Sequence, residues 1–329
     1  MRIPLSVLDL APISRGEDAT SSIAASVALA QRAEEHGYRR VWYAEHHNMP
    51  SIASSATSVL IAHVGAHTSS IRLGAGGVML PNHAPLTIAE QFGTLDAMYP
   101  GRIDLGLGRA PGSDQRTMYA LRRDARASDA FPQDVLELQA YLAGESRVPG
   151  VDAVPGKGSR VPLYVLGSSL FGAQLAAALG LPYAFASHFA PQALREAVAL
   201  YRRDFRPSAQ LDRPYVLAGV NVIAADTVED AQEQLLTARR WRATALFGQG
   251  RVLGDEQADL LLASGAGRQV DQMMVHSAVG TRREVADHLE EFVRFADADE
   301  LIVAHQSPTT AQRLRSVTLL AEAVEPALA

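Results

Sequence analysis

The sequence contains no cysteine in its 329 residues. That removes disulfides, thiolate metal centres and cysteine nucleophiles from consideration. It also has no apolar run approaching the ~18 residues a membrane-spanning helix needs. Positive charge is not in surplus: the net charge is -6 and the pI about 5.9. A nucleic-acid or anionic-membrane partner would want a basic face, so neither is expected. The opening "MRIPLSVLDLAP" is too short in apolar residues for a signal peptide. These absences predict a soluble, cytoplasmic enzyme or binding protein. What is present is apolar mass: 47% of residues are hydrophobic. A chain of this length forms two average domains or a single α/β barrel.

The order of elements favours the barrel. Short apolar strands are expected at 3–10, 40–47, 71–80, 103–108, 162–167, 182–187, 215–224 and 300–305, alternating with helical patterns such as 17–36, 53–67, 86–99 and 128–143. Strands that are nearly continuous in apolar residues belong to a parallel sheet covered on its outside. Eight such units predict an α/β fold closed as a (β/α)8 TIM barrel. The rhythm breaks at roughly 241–280, where "FGQGRVLGDEQ" and "ASGAGRQ" read as an insertion between strands 7 and 8. The whole chain, 1–329, is expected to be one domain.

Active sites of such barrels lie at the carboxyl ends of the strands. Those ends read Asp9, "EHHN" (45–48), "PNH" (81–83), "GRAPG" (108–112), "GSS" (167–169), "SHF" (187–189) and "HQ" (305–306). Polar residues and glycines gather at one end of the barrel. Arg109 is a cation suited to a phosphate or carboxylate. Gly167, Ser168 and Ser169 stand between a strand and a helix start, where free amides and the helix dipole favour an anion; the alternative is plain capping by serine. Gly106, Gly108 and Gly112 resemble a dinucleotide fingerprint, but Pro111 and "SDQRT" give no helix opening directly in the turn. His46 and His47 are adjacent in extended chain and point to opposite faces, so no metal site is expected. His46 is the candidate proton donor or acceptor. "LGAGGVMLPNHAP" (73–85) places Gly76 and Gly77 inside a strand, which marks a bulge or a close approach to the backbone.

The chain resembles the bacterial luciferase-like flavin-dependent monooxygenases, in their single-chain form. "YAEHHN", "LGAGGVMLPNHAPLTIAEQFGTLDAMYPGRIDLGLGRAPG" and "LGSSLFGAQLAAALGLPYAFASHF" carry that resemblance over nearly the full length. It implies a non-prolyl cis peptide between Gly76 and Gly77 supporting a flavin ring. It also implies an FMN phosphate held by Arg109, Gly167, Ser168 and Ser169, and a catalytic His46. Gly108 takes the place of luciferase's reactive cysteine, so light emission is not expected. Ser168 stands where luciferase has an acid and Gly172 where it has a hydroxyl residue, so the anion grip differs in detail. The implied reaction uses reduced FMN (FMNH2) and O2 on a small-molecule substrate. A separate NAD(P)H flavin reductase and a homodimeric assembly go with it. The alternatives are an F420-dependent oxidoreductase and a non-catalytic FMN-binding protein.

Overall fold

The computed structural model describes residues 3–110, 114–248, 251 and 253–324. Its strands are β1 (Leu5–Asp9), β2 (Arg40–Tyr43), β3 (Arg72–Met79), β4 (Ile103–Gly108), β5 (Leu163–Gly167), β6 (Tyr183–Phe185), β7 (Val216–Ala224), β8 (Ser277–Gly280) and β9 (Glu300–His305). All pairings between these strands are parallel. β1 to β7 follow one another around a ring, and β9 closes it between β7 and β1. This is the eight-stranded TIM barrel expected.

The ninth strand is a departure from the sequence reading. β8 pairs only with the carboxyl half of β7, Asn221–Ala224, and stands outside the ring. The expected insertion is therefore mostly ordered secondary structure. Helix Val228–Phe247 runs into it, helices Asp255–Leu262 and Gly265–Met273 follow, and β8 ends it. Its apolar residues Val270 and Met274 pack with Ile223 of β7 and Ala231 of helix Val228–Phe247 in a core separate from the main one. Residues 249, 250 and 252 of the insertion lie outside the described residues. A second difference concerns "SDQRT": helix Gln115–Ala120 does begin there, capped by Asp114, whose side chain accepts from Thr117 N. It opens beyond the glycine turn, and Pro111 and Gly112 lie outside the described residues.

Alternation along each strand sorts side chains into two layers. Leu8, Trp42, Ala44, Tyr164, Ala184, Leu217 and Ile302 cluster inside the ring. Their neighbours Val7, Val41, Tyr43, Val165, Val216 and Val303 join the larger core between sheet and helices.

The amino end of the barrel is plugged by charge. Arg40 is buried and its Nη1 donates to Asp104 Oδ2 at 2.7 Å and Tyr164 Oη at 2.6 Å. Its Nε lies 2.9 Å from Glu300 Oε1. Arg72 Nε reaches Asp104 from the other side at 3.0 Å, and Trp42 Nε1 donates to the same carboxylate at 3.1 Å. Ser6 and Tyr215 hydroxyls donate to Glu300. Burial opposes the Arg40 charge most strongly, yet the carboxylates of Glu300 and Asp104 outweigh it and hold its pKa above the ordinary value.

Removing one member of a buried ionic network leaves the others uncompensated, at a cost of about 3–5 kcal/mol. Arg40→Met is expected to lower the unfolding free energy by that amount in urea denaturation. Arg39→Met, at a side chain 45% exposed and 3.6 Å from Glu300, should cost under about 1 kcal/mol. Equal effects at the two positions would contradict the network's role.

Candidate active site

The carboxyl end of the barrel is polar within β7 at Asn221 and beyond the last residues of β2, β6 and β9 at His46, His188 and Gln306. His46 lies two residues beyond Ala44, and His188 four beyond Ala184. Asn221 lies four beyond Leu217, and Gln306 four beyond Ile302. Contacts tie these residues into one mouth. Asn221 Nδ2 donates to the carbonyl of His188 at 2.7 Å, and Gln306 N donates to Val222 O at 3.0 Å. The His188 ring lies over Gly219, where an added Cβ would collide with Nδ1.

Two residues read as mouth residues in the sequence face the other way. Asp9 follows Leu8 by one position and turns outward, accepting from Ser26 Oγ at 2.6 Å and Ala11 N at 2.8 Å. His305 precedes Gln306 and is buried against helix Thr310–Ala323, with Nδ1 2.8 Å from Ser316 Oγ. Neither contributes to the site. The same parity argument that selects Gln306 excludes His305.

The β3 glycines make a bulge. Register runs Ala75↔Leu105 and then Val78↔Leu107, so Gly76 and Gly77 together oppose Gly106. The Gly76–Gly77 peptide is cis, as the resemblance implied. Side chains are excluded here by neighbours. A Cβ on Gly76 would lie 2.8 Å from Trp42 Cβ and 2.9 Å from Leu8 Cδ1, and one on Gly77 would lie 2.7 Å from the Gly106 carbonyl oxygen. Bare backbone is left at the rim of the mouth.

Beside the bulge, Glu45 is buried and receives a convergent set of donors. His47 Nε2 and His83 Nε2 each lie 2.9 Å from Oε1, and Met79 N donates to Oε2 at 2.9 Å. Burial would raise the Glu45 pKa; the bonds from His83, His47 and Met79 outweigh it and keep the carboxyl below its usual range. Glu45 thus fastens the end of β2 to the end of β3 and fixes the segment that carries His46, whose N–H donates to Ser54 O at 3.2 Å. The pattern "EHH…NH" held these partners, but nothing in the sequence paired them. Among the described residues no group of three or more acidic, histidine or cysteine side chains is arranged to hold a metal ion.

On the β4–β5 side, Arg109 lies flat over Phe171, its Cζ 4.1 Å from the ring centroid. Phe171 is in the first turn of helix Leu170–Leu179. The N-cap of that helix, Ser169, makes no side-chain capping bond, which leaves the leading amides open. Arg109 itself is only loosely engaged, with Nε 3.3 Å from Ser128 O and Nη2 4.0 Å from Asp129 at a partly exposed position. Gly167 and Gly172 approach each other's backbones and Tyr183, a Cβ on Gly172 lying 3.3 Å from Tyr183 Cε2. Tyr183 Oη donates to Ser169 O at 3.0 Å and fixes the turn. A cation, open helix amides and two serines suit a phosphate. The capping alternative raised by the sequence does not apply to Ser169.

Across the mouth stands Arg242 on helix Val228–Phe247, a residue without any signal in the sequence. Its Nη2 lies 3.5 Å from Gln306 Oε1. Burial, then the charge of Arg242 and then His46, depress the His188 pKa from 6.5 to about 3, so its ring is neutral at physiological pH.

The fold is a parallel (β/α)8 barrel whose third strand kinks through a cis glycine pair. The sequence profile described as luciferase-like monooxygenase matches residues 3–298. The chain is 48% identical to a luciferase-like monooxygenase of Escherichia coli (strain K12), over 99% of this chain and 98% of that one. It is 33% identical to the N-acetyl-S-alkylcysteine monooxygenase of Bacillus subtilis (strain 168), over 98% of each. The solved structure of apo-MsnO8 superposes with a TM-score of 0.89 at 35% identity, over 98% of each chain. At 15% identity the fold alone is shared with two others. One is the oxygenating constituent of 3,6-diketocamphane monooxygenase in complex with FMN (TM-score 0.75, 100% and 99% covered). The other is an F420-dependent secondary alcohol dehydrogenase (TM-score 0.72, 100% of each). The chain belongs to the luciferase-like monooxygenase family, and it is an oxidoreductase.

The buried histidines make stability depend on acid. Burial and then Arg313 lower the His305 pKa from 6.5 to about 3. The unfolded chain takes up this proton near 6.5 and the folded chain only near 3, so the folded state loses ground as pH falls through that window. His305→Gln is expected to remove about 2 kcal/mol of the stability lost between pH 7 and pH 5. Urea midpoints at the two pH values measure it. An unchanged pH slope would show that the ring takes up its proton in the folded chain as readily as in the unfolded one.

Proposed function

We propose that this chain is a monooxygenase using reduced FMN and O2 to oxidise a small organic molecule, with the reduced flavin delivered by a separate NAD(P)H flavin reductase. The observation that carries the proposal is Arg109 laid over the open first turn of helix Leu170–Leu179. Arg109, Ser168, Ser169 and the amides after Gly167 would hold the FMN phosphate. The bare backbone at Gly76 and Gly77 would support the ring system. When bound, reduced FMN supplies the two electrons and the place where oxygen is activated.

The chain's own residues do the remainder. His46 stands in the mouth on a segment fixed by Glu45, and holds or moves a proton at an imidazole nitrogen. His188, neutral by burial and by its cationic neighbour, offers hydrogen bonding without adding charge. The helices of the insertion cover the β7–β9 side and exclude water from the mouth. The sequence at 106–112, with Pro111 following the glycines, does not read as a dinucleotide fingerprint, and that favours an external reductase. Among the described residues no helix is long and apolar enough to cross a membrane. A homodimer is proposed on the resemblance alone.

Titration with FMN, followed by quenching of flavin fluorescence, tests the cofactor assignment. The wild type should bind FMN and Arg109→Ala should weaken binding at least about tenfold, the scale of one charge-assisted contact. His46→Ala should leave FMN affinity intact while slowing O2-coupled turnover by about 10²-fold or more. Preference for F420 over FMN, or binding indifferent to Arg109, would overturn the assignment. Full turnover in His46→Ala would remove that residue from the chemistry.

A further inference from the structure

Arg242 is the cation that the flavin reading leaves unused. It sits on helix Val228–Phe247, over the quadrant of the mouth formed by β6, β7 and β9. Among the described residues no carboxylate pairs with it, and its one hydrogen-bond partner is the neutral Gln306 at 3.5 Å. Burial lowers its pKa, and no carboxylate offsets this. Several other arginines are paired with carboxylates: Arg40 with Asp104 and Glu300, Arg240 with Asp259, Arg315 with Asp226. A cation withdrawn from water without a counter-charge favours an anionic ligand.

The surroundings narrow the class of ligand. Gln306 Oε1 faces the guanidinium, which leaves its amide N–H groups able to donate to the same anion. Asn221 Nδ2 is committed to the His188 carbonyl, while its Oδ1 is buried and without a partner. That oxygen suits a ligand N–H or O–H. The His188 ring beside them is neutral, so it does not duplicate the charge. We infer that Arg242, with Gln306 and Asn221, forms a substrate subsite for a carboxylate on a small molecule that also carries a hydrogen-bond donor. A planar guanidinium matches a carboxylate by paired bonds, and the subsite is separate from the phosphate grip at Arg109, across the mouth. The inference names the substrate class of the proposed monooxygenase and rests on the mouth being its reaction site.

The test uses the full chain loaded with FMN and three probes of equal length: N-acetylnorleucine, its primary amide, and hexyl phosphate. Binding is read by saturation-transfer NMR and by competition among the probes. N-acetylnorleucine should bind, and its amide should bind at least about tenfold more weakly. Arg242→Met should abolish that difference while leaving FMN affinity unchanged, and Arg242→Lys should restore part of it. Equal binding of acid and amide would overturn the inference, as would preference for hexyl phosphate. A fall in FMN affinity in Arg242→Met would assign the arginine to the cofactor and also overturn it. Failure of FMN to bind either Arg109 form would sink the flavin reading instead, leaving the acid–amide difference measurable in the unloaded chain.

Discussion

The ion pairing of Arg40 inside the barrel is the constraint on which the architecture rests. A ring of eight strands has a hollow interior that must be filled, and its amino end holds Arg40, Asp104, Glu300, Tyr164 and Ser6 in place of apolar side chains. Such an arrangement is stable only when every charge is answered. It couples β1, β2, β4, β5 and β9 through side chains that can meet in one register alone. Above it the Leu8–Trp42–Leu217 layer seals the network from the mouth. Chemistry at the carboxyl end is thus built on a floor that is dry and fixed.

Charge is handled differently at the mouth. Glu45 is satisfied by two histidines and a backbone N–H, and it serves as a fastener. Among the described residues Arg109 and Arg242 have no close carboxylate partner. The barrel compensates its charges at the amino end, where they hold the strands in register. Arg109 follows β4, while Arg242 stands beside Gln306 at the end of β9, on a different side of the ring.

The fold was largely legible in the sequence because parallel strands buried on both faces read as continuous apolar runs. Eight of these were visible. β8 was not, since "SAVG" is four residues long and sits among glycine and polar residues that read as loop. The glycine pair was legible through local motif: Gly76 and Gly77 stand in the kinked strand as expected. Arg109 and Ser169 were picked out by their position just after a strand, and the structure puts both at the β4–β5 side of the carboxyl end. Parity was the weak point. Asp9 and His305 stand at strand ends, yet one step of alternation turns each toward the helices. Arg242 was invisible for a different reason. A helical residue in an insertion has no positional rule linking it to the barrel axis, so only tertiary packing brings it over Gln306.

The doubled glycine opposite Gly106 has an effect further along the same strand. Adding one residue shifts the phase of everything after it, so Val78 falls in line with Leu107 in the outer layer. Met79 takes the opposite phase, its sulfur near Gly108 and its N–H on Glu45. Without that shift a branched aliphatic side chain would face the mouth, and the glutamate would lose a donor. A soft, polarizable thioether lines the opening instead, so one extra residue sets both the lining and the fastening of the rim.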